Sequence, residues 1–192
     1  MSDFWLFFNH GLQYILNWSS YSIVLFLIVL CAAFDFFGWK KLLGLISIFT
    51  LGHLISLLLG SYNVVQVSPP VISFLIPVTI LFLALYNIFT AGKSKKVQKN
   101  GVLFIVAAVF GLVNGLGFAS TYIKLDPENE FLSLLALESG IFCGQKTVGV
   151  IIFLIAFISQ NFFRINKRDW VLVASSIVLG MLIPMLRNNW IF

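Results

Sequence analysis

The sequence predicts an all-α membrane protein: six transmembrane helices, an N-terminal interfacial helix and both termini outside. Three observations lead there. The 192 residues contain six long apolar runs. Some 60% of the residues are hydrophobic and only 10% are charged, at a mean hydropathy of +1.01. Most of the twelve Lys and Arg residues fall in three of the gaps between runs, at Lys40–Lys41, Lys93–Lys99 and Arg164–Arg168. A helix rising about 1.5 Å per residue needs roughly 20 apolar residues to cross a hydrocarbon core of about 30 Å. Little chain is left over for a water-soluble domain, so residues 1–192 form one polytopic membrane domain.

The opening segment, about 1–19, interleaves Phe4, Trp5, Phe7, Phe8, Tyr14 and Trp18 with Asn9, His10, Gln13 and Asn17. That mixture suits a helix in the membrane interface, where aromatic rings settle. Asp3, the lack of an early Lys or Arg, and the missing small-residue cleavage site argue against a cleaved signal peptide. The spans are placed at about 21–37, 42–60, 71–91, 101–120, 141–163 and 170–186. Pro69 and Pro70 separate the second from the third, and Pro77 and Pro184 lie inside the third and sixth. The apolar stretch Phe131–Phe163 is longer than one crossing requires, and Gly140 and Gly144 interrupt it. Its first portion, up to about Gly140, is expected to be re-entrant or interfacial, with the fifth span following. Cys31 and Cys143 lie in apolar runs and are expected to pack as small hydrophobes rather than bond.

Basic loops after the first, third and fifth spans belong on the cytoplasmic side, which puts both termini outside. The net charge of +5 therefore sets topology and does not indicate nucleic acid. Asp35, near Lys40 and Lys41, is expected to have a topological or surface role. The bilayer is the expected surrounding, with a membrane-protein partner or a second copy of the chain as further partners.

Ionisable residues inside spans are costly and are functional candidates by default. With the orientation above, His53, Asn114, Glu138, Gln145 and Lys146 all fall in the outer half of their spans, which suggests one outward-facing polar pocket. Glu138 and Gln145, seven apart, would share a face of a continuous helix. Lys146 would either neutralise Glu138 or snorkel outward. Gly111 and Gly115, like Gly140 and Gly144, have the small-xxx-small spacing that lets helix backbones approach closely. The two histidines, His10 and His53, belong to no Ser-His-Asp set, and there is no His-Glu-x-x-His helix and no phosphate-binding glycine loop. Enzymatic activity is not expected.

At Phe49-Thr50-Leu51-Gly52-His53, at Phe110 to Ala119 and at Gly140 to Gln145, the chain resembles the HupE/UreJ family of small bacterial inner-membrane proteins. The similarity extends through Gly11 to Trp18 and Arg168-Asp169-Trp170. It implies a bacterial inner-membrane permease for nickel or cobalt, with His53 as the retained metal-facing group. Several of the family's metal-facing positions are changed. Tyr14 and Asn114 stand where the family has His, Asn17 where it has Asp, Ser22 and Ile23 where it has an Asp-His pair, Phe142 where it has Glu, and Leu54 where it has Ser. Gln145 and the glycines remain as framework. Nickel and cobalt favour several converging imidazole and carboxylate donors. Three functions compete: a metal permease with a reduced ligand set at His53, Asn114 and Glu138; a non-transporting subunit or paralogue acting through partner proteins; and a transporter of a neutral or anionic solute.

Overall fold

In the computed structural model the described residues are 2–17, 21–34, 39–93, 100–124 and 130–191. The helices in order are α1 (Ser2–Leu16), α2 (Tyr21–Ala32), α3 (Trp39–Ser61), α4 (Pro69–Thr90), α5 (Asn100–Ile123), α6 (Glu130–Asn161) and α7 (Lys167–Asn188). Helices α3 to α7 are each long and apolar enough to cross a membrane, and α1 with α2 qualifies as a sixth crossing, bent by 68°. Asp35 lies outside the described residues.

Two elements differ from expectation. The first is the opening crossing. With 12 residues, α2 reaches about 18 Å at 1.5 Å per residue, well short of a hydrocarbon core. Helix α1, bent by 68° from α2, packs into the bundle: Gly11 and Ile15 are buried against α6, while Trp5 and Leu6 stay exposed. The second is α6, one unbroken helix of 32 residues with no break at Gly140. Gly140 and Gly144 mark where α1 presses on α6. A methyl at Gly140 would overlap the Phe8 carbonyl, and one at Gly11 would overlap that of Leu137. A glycine inside a helix costs about 1 kcal/mol against alanine; here close backbone packing offsets it.

The α3·α5 pair is built the same way. A methyl at Gly111 would overlap the Phe49 carbonyl, and one at Gly115 the His53 carbonyl. Between lipid-embedded helices no hydrophobic force drives association, so such close van der Waals contact and buried hydrogen bonds hold the bundle. Phe26 of α2 stacks on Phe110 at 3.9 Å, with Phe49 5.5 Å from Phe110, all three buried. Asn87 of α4 donates to the Val29 carbonyl at 2.7 Å, tying α4 to α2. On the outside, Leu51, Ile55 and Leu59 of α3 and Ile105, Val109 and Leu112 of α5 form exposed apolar stripes at helical spacing. Such stripes face lipid. Cys31 is buried, Cys143 is exposed on α6, and neither is bonded.

The described helix ends that flank the three basic gaps gather at one end. Gly44, one turn beyond Lys40 and Lys41, packs on Phe104 near the start of α5, and Gly92, which opens the lysine loop, lies beside Arg168. At the opposite end Gly60 meets Ala119, and Phe74 meets Trp190 at 5.8 Å.

Candidate functional site

At the middle of the bundle α3 crosses α6 in antiparallel fashion. His53 and Glu138, both buried, meet with Nδ1 2.6 Å from Oε1. One turn away the Thr50 hydroxyl donates to Gln145 Oε1 at 3.2 Å. The local sequence dictates this pairing. On an α-helix residues three apart share a face, as do residues seven apart. Thr50 and His53 therefore face the same way from α3, and Glu138 and Gln145 the same way from an unbroken α6.

His53 Nδ1 and Glu138 Oε1 share one proton; in the tautomer with that proton on Nδ1, Nδ1–H donates to Oε1 and Nε2 keeps its lone pair. Nε2 is buried with no hydrogen-bond partner, as are Glu138 Oε2 and Gln145 Nε2. Three orphaned polar atoms in one layer are an unusual expense in a bilayer, where each unsatisfied group costs several kcal/mol. Aromatic rings close over the histidine: Phe49 at 6.0 Å, Phe118 at 6.1 Å and Tyr14 at 6.4 Å between centroids. Tyr14 and Phe118 touch at 4.3 Å.

Beyond Tyr14 and Phe118 lies an open cavity of about 460 Å³. Tyr14, Asn17, Ser22, Ser73, Asn114 and Thr121 are among its lining residues, so hydroxyls and amides line it without a carboxylate, imidazole, Lys or Arg. A narrower compartment of about 210 Å³ adjoins it along Tyr14, Ser73, Ile76 and Asn114.

Of the predicted residues, His53, Glu138 and Gln145 are brought together. Asn114 lines the cavity beside them, its Nδ2 donating to the Phe110 carbonyl at 2.9 Å. Lys146 does not join them: it is exposed on another side of α6, with Nζ 3.9 Å from the centre of the Phe142 ring. One residue past Gln145, it sits about 100° around the helix from it. Gly111, Gly115, Gly140 and Gly144 lie at the helix crossings.

Thr50, Ser73 and Phe118 line the site without having been singled out. Thr50 and Phe118 fall within motifs already noticed, whereas nothing about Ser73 in an apolar run signals a cavity. Tyr14, Asn17, Ser22 and Asn114, four positions where the resemblance shows replaced ligands, converge on this one cavity. Among the described residues no group of three or more His, Cys, Asp and Glu is placed to hold a metal ion.

No match to the chain was found among curated proteins or solved structures. A family model described as HupE / UreJ protein matches residues 1–190, and the chain therefore belongs to the HupE/UreJ family of membrane proteins.

Proposed function

We propose that the protein is a transition-metal permease of a bacterial inner membrane, passing nickel or cobalt through the layer between α3 and α6. The observation carrying this is the buried His53, whose Nδ1 is held by Glu138 while Nε2 stays unpartnered. A carboxylate hydrogen-bonded to one ring nitrogen fixes the imidazole and raises the basicity of the other, the usual support behind a metal-binding histidine. Imidazole and carboxylate both suit these borderline cations. A two-donor site binds loosely, as release on the far side demands. Lys146, turned away on the surface of α6, does not oppose a cation there. The gathering of the basic loops at one end supports a cytoplasmic placement of that end, with both termini outside.

Flux of labelled nickel or cobalt into vesicles reconstituted with the purified protein tests this. Glu138→Gln is expected to lower flux about 10-fold to 100-fold, the usual effect of removing such a support, and His53→Ala to reduce it to the level of empty vesicles. Wild-type flux no greater than that of empty vesicles would overturn the proposal. A non-transporting subunit is favoured by a different observation, the lack of any three-donor group among the described residues. Absent flux together with stable co-purification of a membrane partner would select it.

A further inference from the structure

The two glycine crossings share their closest backbone contacts. Moving 41 positions along the chain carries Gly11 to Gly52, Leu12 to His53 and Ile15 to Ser56; moving back 29 carries Leu137 to Ala108, Ile141 to Leu112, Gly140 to Gly111 and Gly144 to Gly115. Under these two shifts the two closest contacts at Gly11 and at Gly140 become those at Gly52 and at Gly111, while Gly115 also meets the His53 carbonyl, which has no counterpart at Gly144. Gly11 faces the Leu137 carbonyl and Ile141 amide, and Gly52 faces the Ala108 carbonyl and Leu112 amide. Gly140 faces the Phe8 carbonyl and Leu12 amide, and Gly111 faces the Phe49 carbonyl and His53 amide. Gly144 faces Ile15, and Gly115 faces Ser56. Helix α1 thus packs on α6 as α3 packs on α5, and within each pair the contacts ascend together, so the partners run parallel.

Between the pairs the direction reverses. His53 meets Glu138 while Thr50 meets Gln145, so α3 and α6 are antiparallel. Phe7 meets Tyr122 at 6.3 Å while Tyr14 meets Phe118, so α1 and α5 are antiparallel too. The chain contains one helix pair twice, the second copy inverted, and each polar contact of the site joins one copy to the other.

The copies agree within themselves but not in how they meet. The same shifts carry the Tyr14–Phe118 contact to Ile55 and Thr147, which are both exposed. Helix α3 instead meets α6 nearer its middle. The α1·α5 and α3·α6 interfaces therefore occupy different registers although the helices composing them are equivalent.

We propose that units α1·α6 and α3·α5 exchange these two registers, so that the Tyr14–Phe118 and Thr50–Gln145 contacts both part, the present cavity closes and an opening forms at the basic end. An inverted repeat with equivalent halves in inequivalent arrangements has a second state related to the first by a pseudo-twofold rotation about an axis in the membrane plane, which is how such repeats deliver alternating access around a site at their interface. The exchange builds on the permease proposed above but does not depend on the cargo being a metal.

Distances between spin labels in lipid-reconstituted protein test it, on a background lacking Cys31 and Cys143. Labels replacing Ile123 and Phe131 report the cavity end, and labels replacing Gly101 and Ile158 report the basic end. Labels replacing Leu51 and Ile105 report the interior of unit α3·α5. Tyr14→Ala with Phe118→Ala and Thr50→Val with Gln145→Leu each remove a contact of the present registers, and each is expected to shorten the first distance and lengthen the second. The distance within the unit stays fixed in both. Shifts of opposite sign in the two variants, no shift at either end, or a change within the unit would overturn the exchange. The expected shifts in vesicles that pass no nickel or cobalt would remove the metal and keep the exchange; flux with unmoved distances would do the opposite.

Discussion

Units α1·α6 and α3·α5 share their packing and differ in their chemistry. Where α3 carries His53, α1 carries Leu12; where α6 carries Glu138, α5 carries Val109, which is exposed to the lipid side. The glycines that allow each crossing are common to both. A parallel pair pressed together through glycine is thus a scaffold that holds with or without an ionisable group on it. Within these two units the buried ionisable pair lies at the one seam where α3 faces α6, as expected if charge in a bilayer is kept only where it is used.

The severest way to break this equivalence is to fill a crossing. Gly111→Leu and Gly140→Leu each drive a side chain into a facing carbonyl, and each is expected to cost more than about 3 kcal/mol, losing the monodisperse folded species in detergent. Gly101→Ala, where nothing lies within 4 Å of the added carbon, should be neutral or slightly stabilising. If only one of the two leucine variants fails to fold, the crossings are not equivalent.

Next in size is the seam itself. Glu138→Val strands a buried histidine and is expected to cost about 3 kcal/mol in thermal unfolding, the penalty of removing one partner of a buried pair. The double variant His53→Leu with Glu138→Val copies onto the seam the residues that the other repeat positions carry, and should recover most of that loss while passing no metal. A double variant no more stable than the single one would mean that the pair holds the units together rather than serving passage.

The apolar segments, the basic end and the face shared by Glu138 and Gln145 were legible in the sequence, because each depends on local composition or helical spacing. The continuity of α6 was not. Gly140 and Gly144 carry the same letters whether they end a helix or admit another, and only the arrival of α1 decides. Lys146 was misplaced for a related reason: neighbours in sequence point to different sides of a helix. The repeat escaped detection because equivalent helices occur in a different order along the chain. Between Phe4 and Asn17 only Phe8, Gly11 and Leu16 keep their identity in α3, as Phe49, Gly52 and Leu57. Packing needs the glycine and a fitting outline, and constrains little else.

The smallest expected effects come from the wedge beside each crossing, Ile15 against Gly144 and Ser56 against Gly115. Ile15 is fully buried, so Ile15→Ala removes contacts that nothing replaces and is expected to cost about 2 kcal/mol. Ser56 is already small, and Ser56→Ala removes only its 3.1 Å hydrogen bond to the His53 carbonyl, worth about 1 kcal/mol. Unfolding measured for the two variants under one condition compares the wedges directly. A larger loss from Ser56→Ala would show that its hydroxyl fixes the α3 backbone at His53, making the wedge in α3·α5 part of the seam's chemistry. The expected order instead places both wedges in the shared scaffold and leaves the difference between the units to His53 and Glu138.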